Sequence, residues 1–421
     1  MPQRKRRLSE TLGPGLITGA ADDDPSGIAT YSQAGAQFGY SLSWTLLITF
    51  PLMAAVQEIS ARIGRTTGMG IAANIRKKFP NWILQSAVVL LCLANICNIG
   101  ADLGAMAESS RLLLPGTPNW IYIVAFSGLC VVGEVFLHHK RYVAILKWLT
   151  LSLFAYFATL CVVHVEWSAY IKGLLLPRFV MTHQYWLTVA AILGTTISPY
   201  LFFWQASQEA EDTKTEPARR SLRRRPSQGP DALARIRFDT LVGMAVSNLV
   251  ALAILGTAAA TLHLHGTQEI TSAAQAAEAL KPIAGNFAFA LFALGIIGTG
   301  LLSVPVLAGS AAYALGEARG WAVGLSRQPG QAKAFYAVIA GATLIGALAN
   351  VFKFNPMKAL VWSAALNAVV AVPIMVLIMM VSADNSLMGK FRISGAIRAT
   401  GWAATSVMAI ASAAFLLSLG E

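Results

Sequence analysis

The chain is a succession of long apolar runs separated by short polar or basic stretches. A helix needs about 20 apolar residues to cross a bilayer, and eleven runs meet that measure. They fall at roughly 12–36, 42–64, 83–112, 119–137, 143–165, 185–208, 237–263, 286–316, 334–351, 358–381 and 400–419. The pattern predicts one all-α integral membrane domain.

Two of these runs are interrupted by residues that do not belong in a helix interior. The first, LGPGLITGAADDDPSGIATYSQAGAQFG, carries Asp22, Asp23, Asp24, Pro25, Ser26 and Gly27 at its middle. Proline lacks one helical donor and clashes with the preceding turn, and glycine costs roughly 1 kcal/mol against alanine. A carboxylate at bilayer depth costs several kcal/mol unless it faces water or an ion. A span that breaks here and lines the break with acid is a candidate cation site, with freed carbonyls adding oxygen ligands. The simpler reading, acids capping a helix that starts at Pro25, leaves the preceding apolar GPGLITGAA without a role.

The second interrupted run, LTVAAILGTTISPYLFFWQAS, holds Gly194, Thr195, Thr196, Ser198, Pro199 and Tyr200 mid-span. Alone it reads as a proline kink whose threonine hydroxyls satisfy the freed carbonyls. It lies five spans after the first, however, at the equivalent place of a second five-span unit. Interrupted spans in corresponding positions of two halves point to a transporter site between inverted repeats. Repeat one would cover 12–165, repeat two 185–381, and 400–421 an added eleventh helix.

Composition agrees with the membrane reading and charge then orients it. Hydrophobic residues make up 56% of the 421-residue chain and charged residues only 12%, about half the charge of a soluble domain. The net charge is +12, but the basic residues sit in short runs between apolar segments, which excludes a nucleic-acid-binding face. With the basic tail 1–11 in the cytoplasm, 26 of the 32 Lys and Arg fall on the inside, as the positive-inside rule requires. The C-terminus is then outside the cell (inner) membrane. The Arg-rich inside loop 209–235 contains RRSLRRRPSQGP, whose charge and Pro/Gly content predict a mobile, solvated segment. An anionic-lipid or regulatory contact is the alternative reading there, although topology alone accounts for the charge. After Leu262 an amphipathic surface helix is expected, and His263 and His265 are weak metal candidates. The four cysteines lie in apolar runs without zinc-ligand spacing.

These motifs resemble the natural-resistance-associated macrophage protein (NRAMP) family of divalent-metal transporters. The resemblance rests on GPGLITGAADDDPSG, EISARIGRTTGMGIAANIRKKFP, NIGADLGAMAESSRLLLP, RFDTLVGMAVSNLVALAIL and LFALGIIGTGLLSVPVLAGSAAYAL, and covers most of the chain. It implies a LeuT-like fold of two inverted five-helix repeats, with a metal site between broken helices 1 and 6. The family's Asp-Pro-Gly-Asn stands here as Asp24-Pro25-Ser26-Gly27, so the acid is kept and the amide lost. Its Met-Pro-His is Ser198-Pro199-Tyr200, which removes the thioether, and the second histidine of that span is Gln205. Asp102-Leu103-Gly104-Ala105 replaces Asp-Leu-Ala-Glu, and the ninth span has no arginine to pair with Asp102. These losses are similar to the NRAMP-related magnesium transporter branch.

The substitutions have a chemical logic. A thioether favours softer transition metals, whereas an all-oxygen site suits hard cations. Mg2+ gives up its waters reluctantly, and the small Gly27 and Ser198 are expected to enlarge the cavity for a partly hydrated ion. The expected ligands are the Asp24 carboxylate, the carbonyls of Ala21 and Thr195, and the hydroxyls of Ser198 and Tyr200. Asp22 and Asp23 would concentrate cations in a vestibule, and Ser26 would cap the second half of span 1. Asp102, Ala105 and Gln205 mark a former proton path, in which Ala105 and Gln205 do not titrate. The expected activity is transport of Mg2+, and also Mn2+, by alternating access without proton coupling. A proton-coupled Mn2+/Fe2+ importer and a cation channel are the rivals. No enzyme constellation is present, and an amino-acid permease would not place three acids where a carboxylate must bind. No cofactor is expected. The expected partners are the metal substrate and the lipid bilayer, with the chain acting as a monomer.

Overall fold

The structure is a computed structural model that describes residues 18–19, 21–136, 151–216, 218–352 and 354–420. The basic tail 1–11 and the start of the fifth span at 143–150 lie outside the described residues. Among those described, eight helical stretches are long and apolar enough to cross a membrane, and Asn119–Val135 is a shorter apolar helix. One of the eight, Pro25–Thr67, is two helices in sequence. They are α1 (Pro25–Phe38) and α2 (Ser43–Thr67), joined by a 3-10 turn at Gly39–Leu42.

The remaining helices follow in order. α3 (Ile71–Lys78) is a short connector, and α4 (Asn81–Leu113) and α5 (Asn119–Phe136) are the third and fourth apolar runs. After α6 (Phe154–Val162) and α7 (Trp167–Leu175) comes the second interrupted run. It is two helices, α8 (His183–Thr196) and α9 (Pro199–Thr215). α10 (Gly229–Ala258), α13 (Ala288–Arg319), α14 (Lys333–Ala349), α15 (Pro356–Ser382) and α17 (Gly395–Ser418) complete the long helices. Between them lie the short α11 (Ala273–Glu278), α12 (Lys281–Ala284) and α16 (Asn385–Met388).

Packing relates the two halves. The third run, α4, lies along α13, its counterpart in the second half. α1 packs on α10 as α9 packs on α2, and α14 packs on α4 as α5 packs on α13. In lipid such pairs are held by close backbone approach rather than by hydrophobic exclusion. At Gly194 a Cβ would stand 1.9 Å from the Ala364 carbonyl oxygen on α15. At Gly64 it would stand 2.0 Å from the Ala206 carbonyl oxygen on α9. Only glycine permits either crossing.

Two loops differ from their expected form. The segment after Leu262 is two short helices rather than one amphipathic helix, and Ala273, Ala276 and Ala277 of α11 are buried. His263 and His265 each bond a backbone carbonyl, Ala36 at 2.8 Å and Thr261 at 2.5 Å, instead of converging. The arginine-rich loop is docked, not free. Leu222 is fully buried, and its N–H donates to the Arg65 carbonyl at 3.1 Å while Arg223 N–H donates to that of Thr66 at 3.3 Å. One apolar residue in a basic run gave the loop an anchor that its charge density concealed.

Candidate metal site

Both interrupted runs break where their prolines require. Residues 21–22 are helical, Asp23 and Asp24 are not, and α1 restarts with Pro25 in its first turn. α8 ends at Thr196, and α9 restarts with Pro199 in its first turn after Ser198. A proline there forfeits only a donor that a first helical turn leaves free. Each break therefore offers a helix N-terminus, which favours negative charge, beside carbonyls that end the preceding segment.

Asp24 is the N-cap of α1. Its Oδ1 accepts from the Gly27 N–H at 2.9 Å and from the Ser26 hydroxyl at 2.6 Å. The capping role expected for Ser26 thus belongs to Asp24, because a carboxylate one residue before Pro25 reaches the free N–H groups and Ser26 lies already inside the helix. The two breaks meet here. Tyr200 donates to the Ala21 carbonyl at 2.9 Å and stands 3.3 Å from Asp24 Oδ2. The Ser26 and Thr195 hydroxyls are 3.3 Å apart. Ser198 Oγ lies within reach of the Gly194 carbonyl at 2.6 Å and the Thr195 carbonyl at 2.9 Å. The structure thus brings Asp24, Ala21, Thr195, Ser198 and Tyr200 to one junction.

Gly27 leaves no void in this conformation. A Cβ there would meet Thr195 Oγ1 and the Tyr31 ring, each at 3.3 Å. Tyr31, one helical turn on, fills the space that the missing side chain was expected to open. Asp22, Asp23 and Asp24 are at most 5% exposed, so all three carboxylates are shielded from solvent in this conformation.

Asp22 and Asp23 turn away from Asp24 toward α10. Ser247 Oγ lies 2.6 Å from Asp22 Oδ2 and 3.0 Å from Asp23 Oδ1. One hydroxyl proton cannot serve both carboxylates, and Asp22 Oδ1 is buried without a hydrogen-bond partner. They do not face an open vestibule here, since α10 packs across the break. This divergence is why no three His, Cys, Asp or Glu side chains among the described residues form a metal-holding group.

Asp102 is fully buried on α4, where Ser303 of α13 donates to its Oδ2 at 2.9 Å and Oδ1 has no partner. Gln205 bonds Thr240 on α10 at 3.0 Å, and Ala105 is a buried methyl. These positions face different helices and form no continuous chain of titratable groups. Ser247 and Ser303 are the partners that sequence reasoning did not single out. Ser247 and Asn248 stand side by side in the otherwise apolar LVGMAVSNLVALAIL, and a polar pair at that depth is the signal that would have flagged it. Among the described residues no Lys or Arg pairs with any of these four buried aspartates.

Residues 15–418 match the family model described as natural resistance-associated macrophage protein-like. A divalent metal cation transporter, MntH, of Yersinia pestis is 29% identical over 318 residues, 72% of each chain. Among solved structures, the manganese transporter of Eremococcus coleocola superposes with a TM-score of 0.76 at 16% identity, covering 98% of this chain and 87% of that one. A Na+-coupled sialic acid symporter gives 0.55 at 13% identity, covering 95% and 88%. The fold is therefore LeuT-like, all-helical, with its broken helices at Asp24 and Ser198.

Proposed function

The chain belongs to the natural resistance-associated macrophage protein family, and on that premise we propose that it moves a divalent cation across the cell (inner) membrane by alternating access. The substrate of this reading is partly hydrated Mg2+, with Mn2+ as a second ion, and no proton travels with it. The N-terminus lies in the cytoplasm and the C-terminus outside. One observation carries the proposal: four buried aspartates without a cationic partner among the described residues, one of them, Asp24, at a junction whose side-chain groups are carboxylate and hydroxyl oxygens. Buried charge without compensation is costly, and a divalent ion supplies the compensation.

In this reading Asp24 Oδ2 binds the ion or one of its waters. The carbonyls of Ala21 and Thr195 join it once Tyr200 and Ser198 turn their hydroxyls toward the ion. Entry requires the closed junction at Gly27 to widen as α1 and the Thr195 end of α8 move apart. Release to the cytoplasm requires α9 to leave α13, to which it is tied below the site. There Glu211 accepts from the Tyr313 hydroxyl and from the Leu325 and Ser326 N–H groups, and Ser207 donates to Glu317 at 3.4 Å.

In an open conformation Asp22 and Asp23 face the vestibule and raise the local cation concentration without ligating. Asp22→Asn and Asp23→Asn are each expected to raise KM for Mg2+ a few-fold at low salt with kcat kept, and the difference should shrink as salt screens them. Uptake assays at two ionic strengths check this.

The test of the proposal is uptake into proteoliposomes of Mg2+, Mn2+, Ca2+ and Zn2+. Saturable Mg2+ and Mn2+ uptake is the expected outcome, and non-saturating flux would mark a channel. A second reading, a proton-coupled Mn2+ importer with relocated ligands, has one observation in its favour. Met106 Sδ and Pro25 Cγ both crowd Gly300, 2.4 Å and 3.3 Å from where a Cβ would stand, so a thioether lies near the break. Loss of Mn2+ uptake with Mg2+ uptake unchanged in Met106→Leu would support that reading.

A further inference from the structure

Away from the metal site, the ends of α2, α3 and α9 enclose a cleft of about 560 Å3 with the arginine-rich loop. Lys77, Lys214, Arg220, Arg223 and Arg224 line it, and among the described residues no acid does. Basic residues on this side are expected from topology, but their pairing is not uniform. Arg219 is held by Asp212 and Glu216, Arg235 by Glu209 and Lys78 by Asp384. Lys77, Lys214, Arg220 and Arg224 have no ion pair among the described residues. Glu211 and Glu317 border Lys214 on its other side, where they accept from the Tyr313 hydroxyl and from backbone N–H groups, so the cations that line the cleft repel one another with no acid among them.

The wall carrying these charges is built, not loose. Leu222 is fully buried, and the loop backbone pairs with the last turn of α2. The Gln228 side chain accepts from Arg65 Nη2 at 3.2 Å and donates to the Ala218 carbonyl at 2.9 Å. Arg223 is aimed by the Ser386 and Leu387 carbonyls, which orient its guanidinium at 2.8 Å and 3.3 Å without neutralising it. Gly68, at φ 70, lets Ser221 approach, since a Cβ there would stand 3.3 Å from Ser221 Cβ.

We infer that this cleft binds an anion bearing two or more phosphate groups, either the polyphosphate of a soluble nucleotide or the headgroup of a multiply phosphorylated lipid. Planar guanidinium groups match phosphate oxygens in pairs, while lysines add point charge. A single phosphate would leave most of the volume and most of the cations unused. The ligand would join Lys77 on α3 to Lys214 on α9, the helix that starts at the metal junction, so its binding would restrain α9.

The test uses the full-length chain in EDTA, which removes metal-bridged binding. Calorimetric titration with pyrophosphate and with ATP is compared with titration of nanodiscs containing phosphatidylcholine alone or with added cardiolipin. Saturable binding of a phosphate-bearing probe is expected, weakening at least tenfold between low and moderate salt. The exposed triple variant Lys77→Gln/Arg220→Gln/Arg224→Gln should lose at least tenfold in affinity, while Arg398→Gln on α17 should bind as the wild type. Binding of pyrophosphate and ATP assigns the soluble source, and a response only to cardiolipin assigns the lipid; both uphold the site. Absence of saturable binding to every probe overturns it, as does wild-type affinity in the triple variant or an equal loss in Arg398→Gln.

Discussion

Asp24→Asn is expected to lower Mg2+ uptake by about a hundredfold or more in a protein that still folds. The amide keeps the cap, because its oxygen can accept from Gly27 N–H as the carboxylate Oδ1 does at 2.9 Å. It removes the charge that an ion at Oδ2 requires, and losing one partner of a buried ionic contact costs about 3–5 kcal/mol, more than two decades in affinity. Asp24→Ala should abolish uptake equally and also lose about 1 kcal/mol of cap stability. A small drop in melting temperature should therefore separate the two variants, while their transport defects should coincide. Uptake by folded Asp24→Asn at the wild-type rate would remove Asp24 from the site.

Ser198→Met is expected to shift the Mn2+ over Mg2+ preference about tenfold toward Mn2+, because a thioether near the junction favours the softer ion. The geometry adds a second consequence. Ser198 Oγ now lies within reach of the Gly194 and Thr195 carbonyls, so its removal frees both oxygens. Gly27→Asn is the natural companion substitution, but its side chain must displace Thr195 and Tyr31, each 3.3 Å from the new Cβ. The double variant should therefore transport more slowly than Ser198→Met while sharing its selectivity. Competition between the two ions during uptake reads the ratio, and an unchanged Mg2+ preference would mean that ligand softness does not set selectivity.

The broken helices were legible in the sequence because proline and clustered acid leave few alternatives in an apolar run. Pro25 and Pro199 each restart a helix at the residue where they stand. What the chain order concealed was set by neighbours distant in sequence. Ser247 comes to Asp22 from α10 and Ser303 to Asp102 from α13, and a serine in an apolar helix does not announce which distant residue it meets. The expected cavity at Gly27 failed for a local reason, since Tyr31 shares its helix face and closes the gap. The arginine-rich loop failed through its composition, because a single leucine outweighed the charge around it. The vestibule assigned to Asp22 and Asp23 depends on conformation, and the closed arrangement buries both.

The central claim is uncoupled movement of a hard divalent cation through an oxygen-lined junction. A proton carried with the metal needs titratable groups along a path, and Ala105 and Gln205 interrupt the one that the family resemblance marks. Crowded carboxylates can nevertheless share a proton, so Asp22, Asp23 and Asp24 make the claim testable rather than automatic. The most direct measurement records Mg2+ influx and internal pH together in proteoliposomes at clamped membrane potential. The account predicts saturable influx that grows with a negative internal potential while internal pH stays constant. Internal acidification that follows metal uptake and disappears in Asp24→Asn would contradict it.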